Sequence, residues 1–317
     1  MYTIGVIMDP IECVNKSSDS TIAMLSALQK TNKIEYINPK SLNISNRGVY
    51  AKSNKLDLYP KKKDFYKKGY SRLINLSKID CILFRIDPPV DITYIHMTHI
   101  LDYLELNGVL IINSPQSLRD FNEKLLGHNL NINILPTLVS ANEELIKKFI
   151  VDNKKVVIKP LNMMGGQGII SLASKDSRLS DKIKNITNDS ERFILAQKFL
   201  KNVTDGDTRI LITNGIVHDH VLVRYPPKDD FRANLSYGGK YKITKINKKY
   251  KNNLMDIAEY LKNNRIYFAG VDMIGKYITE INITSPTGIQ QIEDKDINFR
   301  YKIAKEINIL IKEHHEY

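Results

Sequence analysis

Residues 270–289, GVDMIGKYITEINITSPTGI, constrain this chain more than any other stretch. They read as a strand, a glycine turn and a returning strand. Asp272, Glu280 and Asn282 sit among Val, Ile, Met and Tyr, where apolar side chains would pack at lower cost. Two carboxylates in a half-buried sheet lose hydration and repel each other, and a cation between them relieves both effects. Oxygen ligands without thiolate or imidazole suit Mg²⁺ shared with phosphate oxygens. Side chains alternate along a strand, so Glu280 and Asn282 share a face. A plain two-residue turn at Gly275-Lys276 pairs Asp272 with Thr279 and turns it away from Glu280. A shared face therefore requires an odd-length turn or a β-bulge. The alternative is an edge hairpin whose outer face happens to be acidic.

The 317 residues suggest two domains at about 150 residues each. No apolar run approaches the ~20 residues that span a bilayer. The opening MYTIGVIMDP lacks a basic segment and reaches Asp9 too early for an export signal, so a buried first strand and a cytoplasmic protein are expected. Cys13 and Cys81 are too few for a disulfide framework, fit a reducing compartment, and are expected to be packed. The net charge of +12 raises nucleic-acid binding as a function. The lysines are spread along an Ile-, Lys- and Asn-rich chain with no Trp, which argues for a solvated surface that attracts anionic substrates.

Strand and helix signals alternate over the first ~115 residues: strands at 2–8, 34–37, 81–84 and 109–113, helices at 20–30 and 92–106. This is a βαβ series with a parallel sheet. Residues 43–70 read as strand and loop. Pro115 opens a helix expected to run over 117–126. Then follow a strand at 135–139, a helix at 142–151 capped by Ser140 or Asn142, and strands at 155–158, 169–172, 193–199 and 207–213. Asn214-Gly215 marks a hairpin returning through 216–223. Helices are expected at 254–263 and 297–313. A largely antiparallel α+β domain therefore starts near residue 120.

Lys159 lies on a strand that feeds the loop Pro160-Leu161-Asn162-Met163-Met164-Gly165-Gly166-Gln167-Gly168. Glycines let backbone N–H groups approach phosphate oxygens, and Lys159 is placed to pair with the same phosphates. The loop is neither a Walker A nor a Rossmann fingerprint, and a flexible hairpin tip is the alternative. Arg209 and Arg224 flank the Asn214-Gly215 turn, and Arg232 lies in the loop over 226–240, which carries Gly238-Gly239. Guanidinium forks recognise phosphate and carboxylate, and a polar, glycine-ended loop suits a lid over an anionic intermediate. Ser285-Pro286-Thr287 follows the acidic hairpin, where small hydroxyls can bind a substrate carboxylate. The seven histidines show no metal spacing, and no Ser-His-Asp set can be assembled.

Taken in order, Asn122-Glu123-Lys124, Lys159 with its Gly165-Gly166 loop, Asp207-x-Arg209 and Asp272-x7-Glu280-x-Asn282 resemble the ATP-grasp superfamily. Segments IGVIMDP, FRIDPP, NSPQSLRDFNEKL, KPLNMMGG, DGDTRIL, the loop around Arg232-Ala233-Asn234-Leu235 and TEINITSPTGI resemble bacterial glutathione synthetases from residue 4 to about 290. The chain departs from that pattern at Asn162-Met163, where Asp-Gly is expected, and at Ala233, Lys240 and Gly288, where Gly, Arg and Cys are usual.

The resemblance implies an α/β (α+β) ATP-grasp fold, with a substrate-side βαβ domain over 1–120 and an ATP-grasp domain over 121–317. The latter would divide into a lid subdomain over about 121–198 and a catalytic subdomain over about 199–317. It implies an ATP-dependent ligase that joins γ-glutamylcysteine and glycine through an acyl phosphate, releasing ADP and phosphate. Alternatives are a D-alanine–D-alanine-like ligase, a protein C-terminal amino-acid ligase, or a basic nucleic-acid-binding protein. By similarity Lys124, Lys159, Gly165 and Gly166 face the ATP phosphates, Gln197, Phe199 and Leu200 border the adenine, and Asp207 faces the nucleotide. Asp272, Glu280 and Asn282 would hold Mg²⁺, or Mn²⁺ in its place. Arg209, Arg224 and Arg232 would act on the acyl phosphate or peptide substrate, with Ser285, Pro286, Thr287 and Arg85 at the substrate end. Neither a nucleic acid nor a membrane is an expected partner, and relatives imply a homotetramer.

Overall fold

The computed structural model describes residues 1–130 and 134–316. Strand β1 (Thr3–Met8) is buried from Ile4 onward, as a strand covered on both faces must be. It pairs in parallel with β2 (Lys33–Ile37) on one side and β7 (Cys81–Arg85) on the other. Between β1 and β2 runs α1 (Ser20–Leu28), capped by Asp19, which accepts from the Ile22 amide at 2.8 Å. Strands β3 (Asn43–Ser45), β4 (Gly48–Leu58) and β5 (Tyr66–Lys68) fill the stretch read as strand and loop, and β6 (Arg72–Asn75) follows it as a strand that was not expected. Helix α2 (Ile92–Leu106) leads to β8 (Leu110–Ile112), the parallel neighbour of β7.

The first sheet has the order β3-β4-β2-β1-β7-β8, with β5 and β6 also paired to β4. It is mixed rather than purely parallel: β2-β1-β7-β8 form the expected parallel core, and β4 joins antiparallel to β2. Cys81 is buried as expected, but Cys13 is exposed, because it closes a short 3-10 turn outside the sheet.

Helix α3 (Pro115–Asp120) stops six residues before the expected end. Asn122 explains the stop. Its side chain accepts from the Lys124 amide at 3.0 Å and donates to the Leu161 carbonyl at 2.9 Å, so the chain turns toward the glycine loop. The second sheet, order β11-β10-β12-β9, is antiparallel throughout. It contains β9 (Thr137–Ser140), β10 (Lys155–Pro160), β11 (Ile170–Ala173) and β12 (Ile194–Lys198), backed by α4 (Glu143–Asn153) and α5 (Leu179–Thr187). Asn142 caps α4, accepting from the Leu145 amide at 3.0 Å.

The third sheet comprises β13 (Asp207–Thr213), β14 (Ile216–Val217), β15 (His220–Tyr225), β16 (Lys240–Lys245), β17 (Phe268–Ile274) and β18 (Tyr277–Asn282). Its order is β16-β15-β13-β17-β18. The strand expected over 216–223 is interrupted, because the buried His218 turns in against Thr213 and the ring of Phe299. Helix α6 (Lys251–Asn263) precedes β17, and α7 (Ile289–Ile292) and α8 (Phe299–Glu316) close the chain.

Two hydrophobic clusters run through the first and third sheets together: Leu211, Leu222 and Phe268 share one with Ile4, Leu25 and Ile303. A third cluster, including Ile146, Val156, Ile158, Leu172 and Ile183, belongs to the second sheet and its helices alone. Polar clamps also lock the first sheet to the third. Asn113 accepts from the Tyr267 and Phe268 amides at 2.7 and 2.8 Å and donates to the carbonyls of Phe268 and Ile283 at 2.8 and 2.6 Å.

Candidate active site

The hairpin meets its geometric requirement through a bulge. Its turn is the two-residue Gly275-Lys276, with Ile274 opposite Tyr277 and Met273 opposite Ile278. Left alone, that register would set Asp272 against Thr279. A shift between Asp272 and Met273 sets Asp272 opposite Glu280 and Gly270 opposite Asn282 instead. The Thr279 hydroxyl donates to the Asp272 carbonyl at 3.2 Å across the bulge. The edge β18 is covered, since its Ile281 amide donates to the Glu123 carbonyl at 3.0 Å. The acidic face is thus turned inward, with Asp272 5% exposed.

Registers across the third sheet extend this face. Asp272 is opposite Arg209 on β13, and Asp207, two residues earlier, is opposite Arg224 on β15. Arg209 binds Asp272 in bidentate fashion, Nε to Oδ1 at 2.6 Å and Nη2 to Oδ2 at 2.7 Å. Arg224 Nη2 lies 2.6 Å from Asp207 Oδ2 and 3.0 Å from Asp272 Oδ2. Burial alone would raise the Asp272 carboxyl, but Arg209 and Arg224 outweigh it and hold the group well below the usual carboxylate range. Burial wins at Asp207, pushed up to about 6 against the pull of Arg224. Asp207 Oδ1 and Arg224 Nε are buried without a partner among the described residues, which leaves unmet hydrogen-bonding capacity at the heart of the site.

Lysines approach from the other side. Lys124 Nζ is 3.2 Å from Glu280 Oε1 and donates to the Met163 carbonyl at 2.6 Å. Lys159, at the end of β10, is buried, and that burial lowers its pKa against the opposing pull of Glu280. Glu123 does not face outward beside Lys124. Its Oε1 accepts from the amides of Ile283 and Thr284 at 2.7 and 2.9 Å and from the Thr284 hydroxyl at 2.8 Å, fixing the exit of β18.

Over the top, Arg232 pairs with Asp230 at 2.6 Å and stacks 3.6 Å from the centre of the Tyr237 ring. Its Nη1 donates to the Gly166 carbonyl at 3.4 Å, so the loop between β15 and β16 touches the glycine loop. Phe199 meets Phe231 edge-on at 5.9 Å, and Gln197 donates to the Thr137 hydroxyl at 3.3 Å. Arg85 is buried, with Nε on the Thr21 hydroxyl and Nη1 and Nη2 on the carbonyls of Thr284 and Pro286. It therefore props the Ser285-Pro286-Thr287 loop against β7.

Every candidate residue lines one cavity of about 630 Å³: Lys124, Lys159, Gly165, Gly166, Gln197, Phe199, Leu200, Asp207, the three arginines 209, 224 and 232, Asp272, Glu280, Asn282, Ser285, Pro286, Thr287 and Arg85. Sequence reasoning missed Asp19, Asp87, Phe231 and Gln291, which also line this cavity. The FRIDPP segment that contains Asp87 was a usable signal. Phe231 and Gln291 carry none without the fold.

Among the described residues no group of three or more His, Cys, Asp or Glu is placed to hold a metal. The donor set of two carboxylates and an amide nevertheless fits a hard cation that takes its remaining ligands from phosphates. Among the described residues Asp272 Oδ1 accepts only from Arg209, and Asn282 engages Asp272 through its nitrogen at 3.1 Å, which leaves its oxygen for a ligand.

With this geometry, two family models divide the chain between them. The N-terminal domain of prokaryotic glutathione synthetase matches residues 2–119, and its ATP-grasp domain matches residues 123–297. The chain belongs to the prokaryotic glutathione synthetase family. It is 39% identical to glutathione synthetase of Wigglesworthia glossinidia brevipalpis over 300 residues, 92% of this chain and 93% of that one. With glutathione synthetase of Vibrio cholerae serotype O1 it shares 36% over 314 residues, 98% and 99% of the two chains. Among solved structures it is similar to D-cycloserine synthetase DcsG, with TM-score 0.69 and 10% identity over 98% of this chain and 99% of that one. It is also similar to the ATP-grasp ligase PsnB, with TM-score 0.65 and 14% identity over the same shares. At such identities these likenesses establish the ATP-grasp fold alone. Family membership by sequence favours the glutathione synthetases over the D-alanine–D-alanine-like alternative.

Proposed function

We propose that the chain joins γ-glutamylcysteine to glycine at the expense of ATP, releasing ADP and phosphate. The observation that carries this reading is the single cavity in which Lys124, Lys159, Arg209 and Arg224 face Asp207, Asp272 and Glu280. A carboxylate oxygen is too poor a leaving group for an amine to displace. Transfer of the γ-phosphoryl group to the cysteinyl carboxylate forms an acyl phosphate and ADP. The glycine amine then attacks the acyl carbon, and phosphate leaves.

The chain's part is positioning and charge stabilisation. Lys124 and Lys159 would bind the ATP phosphates beside Gly165 and Gly166, and Gln197, Phe199 and Leu200 would border the adenine. Arg209 and Arg224, fixed by Asp272 and Asp207, present cationic faces where the acyl phosphate forms. Asp272, Glu280 and Asn282 would hold Mg²⁺, or Mn²⁺, which neutralises phosphate charge. Arg232 and its loop would exclude water from the acyl phosphate. Residues about 121–198 are proposed to move as a lid, a reading supported by the separate core of the second sheet. Residues 1–120 would form the substrate-side domain and residues about 199–317 the catalytic subdomain. By similarity to the family the working form is proposed to be a cytoplasmic homotetramer, which sedimentation would measure. Among the described residues no helix is long and apolar enough to cross a membrane.

Phosphate release is measured with ATP, Mg²⁺, γ-glutamylcysteine and glycine, each omitted in turn. Release that requires all four is expected. Release supported by D-alanine in place of both amino substrates would overturn the assignment.

A further inference from the structure

Strand β18 ends the order of the third sheet, so amides that point away from β17 meet no further strand there. Backbone groups alternate between the two edges of a strand, and Ile281 and Ile283 direct their amides outward. One residue meets both. The Glu123 carbonyl accepts from the Ile281 amide at 3.0 Å, and Glu123 Oε1 accepts from the Ile283 amide at 2.7 Å. Oε1 also takes the Thr284 amide and hydroxyl, at 2.9 and 2.8 Å. Asn113 holds Ile283 by its other backbone group, donating to the carbonyl at 2.6 Å. Asn282 is therefore bracketed by two anchored residues, and Glu280 directly precedes the first of them. Glu123 itself is buried, and the next residue, Lys124, reaches Glu280 Oε1 and the Met163 carbonyl.

We propose that Glu123 is a positioning residue: it holds Glu280 and Asn282 in register for a divalent cation through the reach of its acceptor oxygens, not through its charge. The inference rests on the proposed function, which assigns Asp272, Glu280 and Asn282 to that cation. Asp272 is fixed independently, by Arg209 and Arg224. The other two have less support of their own. Among the described residues Glu280 pairs with Lys124 alone, and Asn282 donates to the Gly270 carbonyl and Asp272 Oδ2 at 3.2 and 3.1 Å. Their placement depends on the strand that carries them, and a loosened exit from β18 lets both drift. Glu123 Oε1, with three donors on it, is committed to the backbone and holds the strand rather than a ligand. Partners that orient ligating side chains set metal affinity by about 10- to 100-fold.

The test separates reach from charge in the full chain. Glu123→Gln keeps an acceptor oxygen at the same reach and removes the charge. Glu123→Asp keeps the charge on a side chain one methylene shorter, which withdraws it from Ile283 and Thr284. Mn²⁺ binding beside ADP is read from the electron paramagnetic resonance of the free ion, corrected for Mn²⁺ held by free ADP. ADP binding without metal is read by calorimetry in EDTA. Glu123→Gln should bind Mn²⁺ within about 3-fold of the wild type, and Glu123→Asp about 10-fold more weakly, with metal-free ADP affinity changed less than about 2-fold. The Mg²⁺ concentration for half-maximal phosphate release should shift by the same factors. A larger loss in Glu123→Gln would overturn the proposal, because charge would then be what matters, and that outcome does not depend on whether Glu123→Asp folds. So would wild-type Mn²⁺ affinity in Glu123→Asp, or an equal loss of ADP affinity with and without metal, the mark of a general disturbance. A wild type that binds no Mn²⁺ beside ADP would instead defeat the cation reading of the hairpin, and the positioning role with it.

Discussion

Asp272 and Glu280 face each other across one hairpin yet carry different burdens. Asp272 neutralises two buried guanidinium groups, so Asp272→Asn leaves both with too little negative charge. A loss of about 3 kcal/mol in stability is expected, together with lost turnover. Glu280 has a side chain 17% exposed and one lysine partner. Glu280→Gln should change stability by less than about 1 kcal/mol yet lower turnover at least about 100-fold. Urea midpoints and phosphate release on the two variants separate these outcomes, and equal destabilisation would refute the division. From the sequence, a shared face for the two carboxylates was a demand on the turn, and their place in one site was what the resemblance implied. The sequence did not show Arg209 and Arg224 bound to Asp272, because pairing between strands separated by about 60 residues has no local signature. His218 offers a residue-scale test of stability. Burial, assisted by Lys302 and opposed by Asp296 and Asp219, lowers its imidazole to about 4. Between about 4 and 6.5 the unfolded chain binds a proton that the folded one refuses, so stability is lost as pH falls through that window. The stability gap between wild type and His218→Gln should shrink by about 3 kcal/mol from pH 7 to pH 4. Parallel stability curves would show that His218 is not the group responsible.

At the scale of elements, the expected helix past Asp120 fails for a reason that serves the site. Had it continued, Glu123 could not pin Thr284 and Lys124 could not reach Glu280. Strand β16 and helix α5 are among the elements that escaped the sequence, and both bury little. Strand β16 has only Ile243 buried among six residues, and α5 relies chiefly on Leu179 and Ile183 in a polar stretch. The bulge in the last hairpin was legible only as a demand, since its turn is the ordinary two-residue kind. The glycine loop yields a prediction of the same scale. Gly165 and Gly166 both have positive φ, +63° and +85°. A Cβ on Gly165 meets nothing within 4 Å, whereas one on Gly166 would lie 2.8 Å from Asn234 Oδ1 and 3.0 Å from the Tyr237 ring. Gly165→Ala should add only backbone strain of about 1 kcal/mol. Gly166→Ala should also push the 226–239 loop away and lower kcat/KM for ATP by about 10-fold beyond Gly165→Ala. ATP titration of steady-state rates checks this, and matching losses in the two variants would show that loop contact is irrelevant.

Across the whole molecule, the division of the hydrophobic clusters sets what can move. The first and third sheets share their cores and are clamped by Asn113 and Arg85, so they form the frame that holds Asp272, Arg209 and the Ser285 loop. The second sheet carries Lys159 and its glycine loop on an independent core. An ATP clamp needs that separation: a lid that shared its core with the frame could not open without unfolding it. Charge composition gave no sign of this, because apolar residues look alike whichever cluster they join. Truncating one core residue in each body tests the division. Ile158 is 1% exposed in the core of the second sheet and Leu211 fully buried in the shared one, and either substitution to Ala should cost about 3 kcal/mol. If the lid opens as its own unit, Ile158→Ala should accelerate hydrogen exchange in β9, β10 and β12 while leaving β1, β13 and β17 protected. Leu211→Ala should accelerate exchange in β1 and β13 together. Uniform acceleration throughout the chain by Ile158→Ala would mean that lid and frame unfold as one body. The lid would then have to close by bending its loops rather than by moving as a rigid piece.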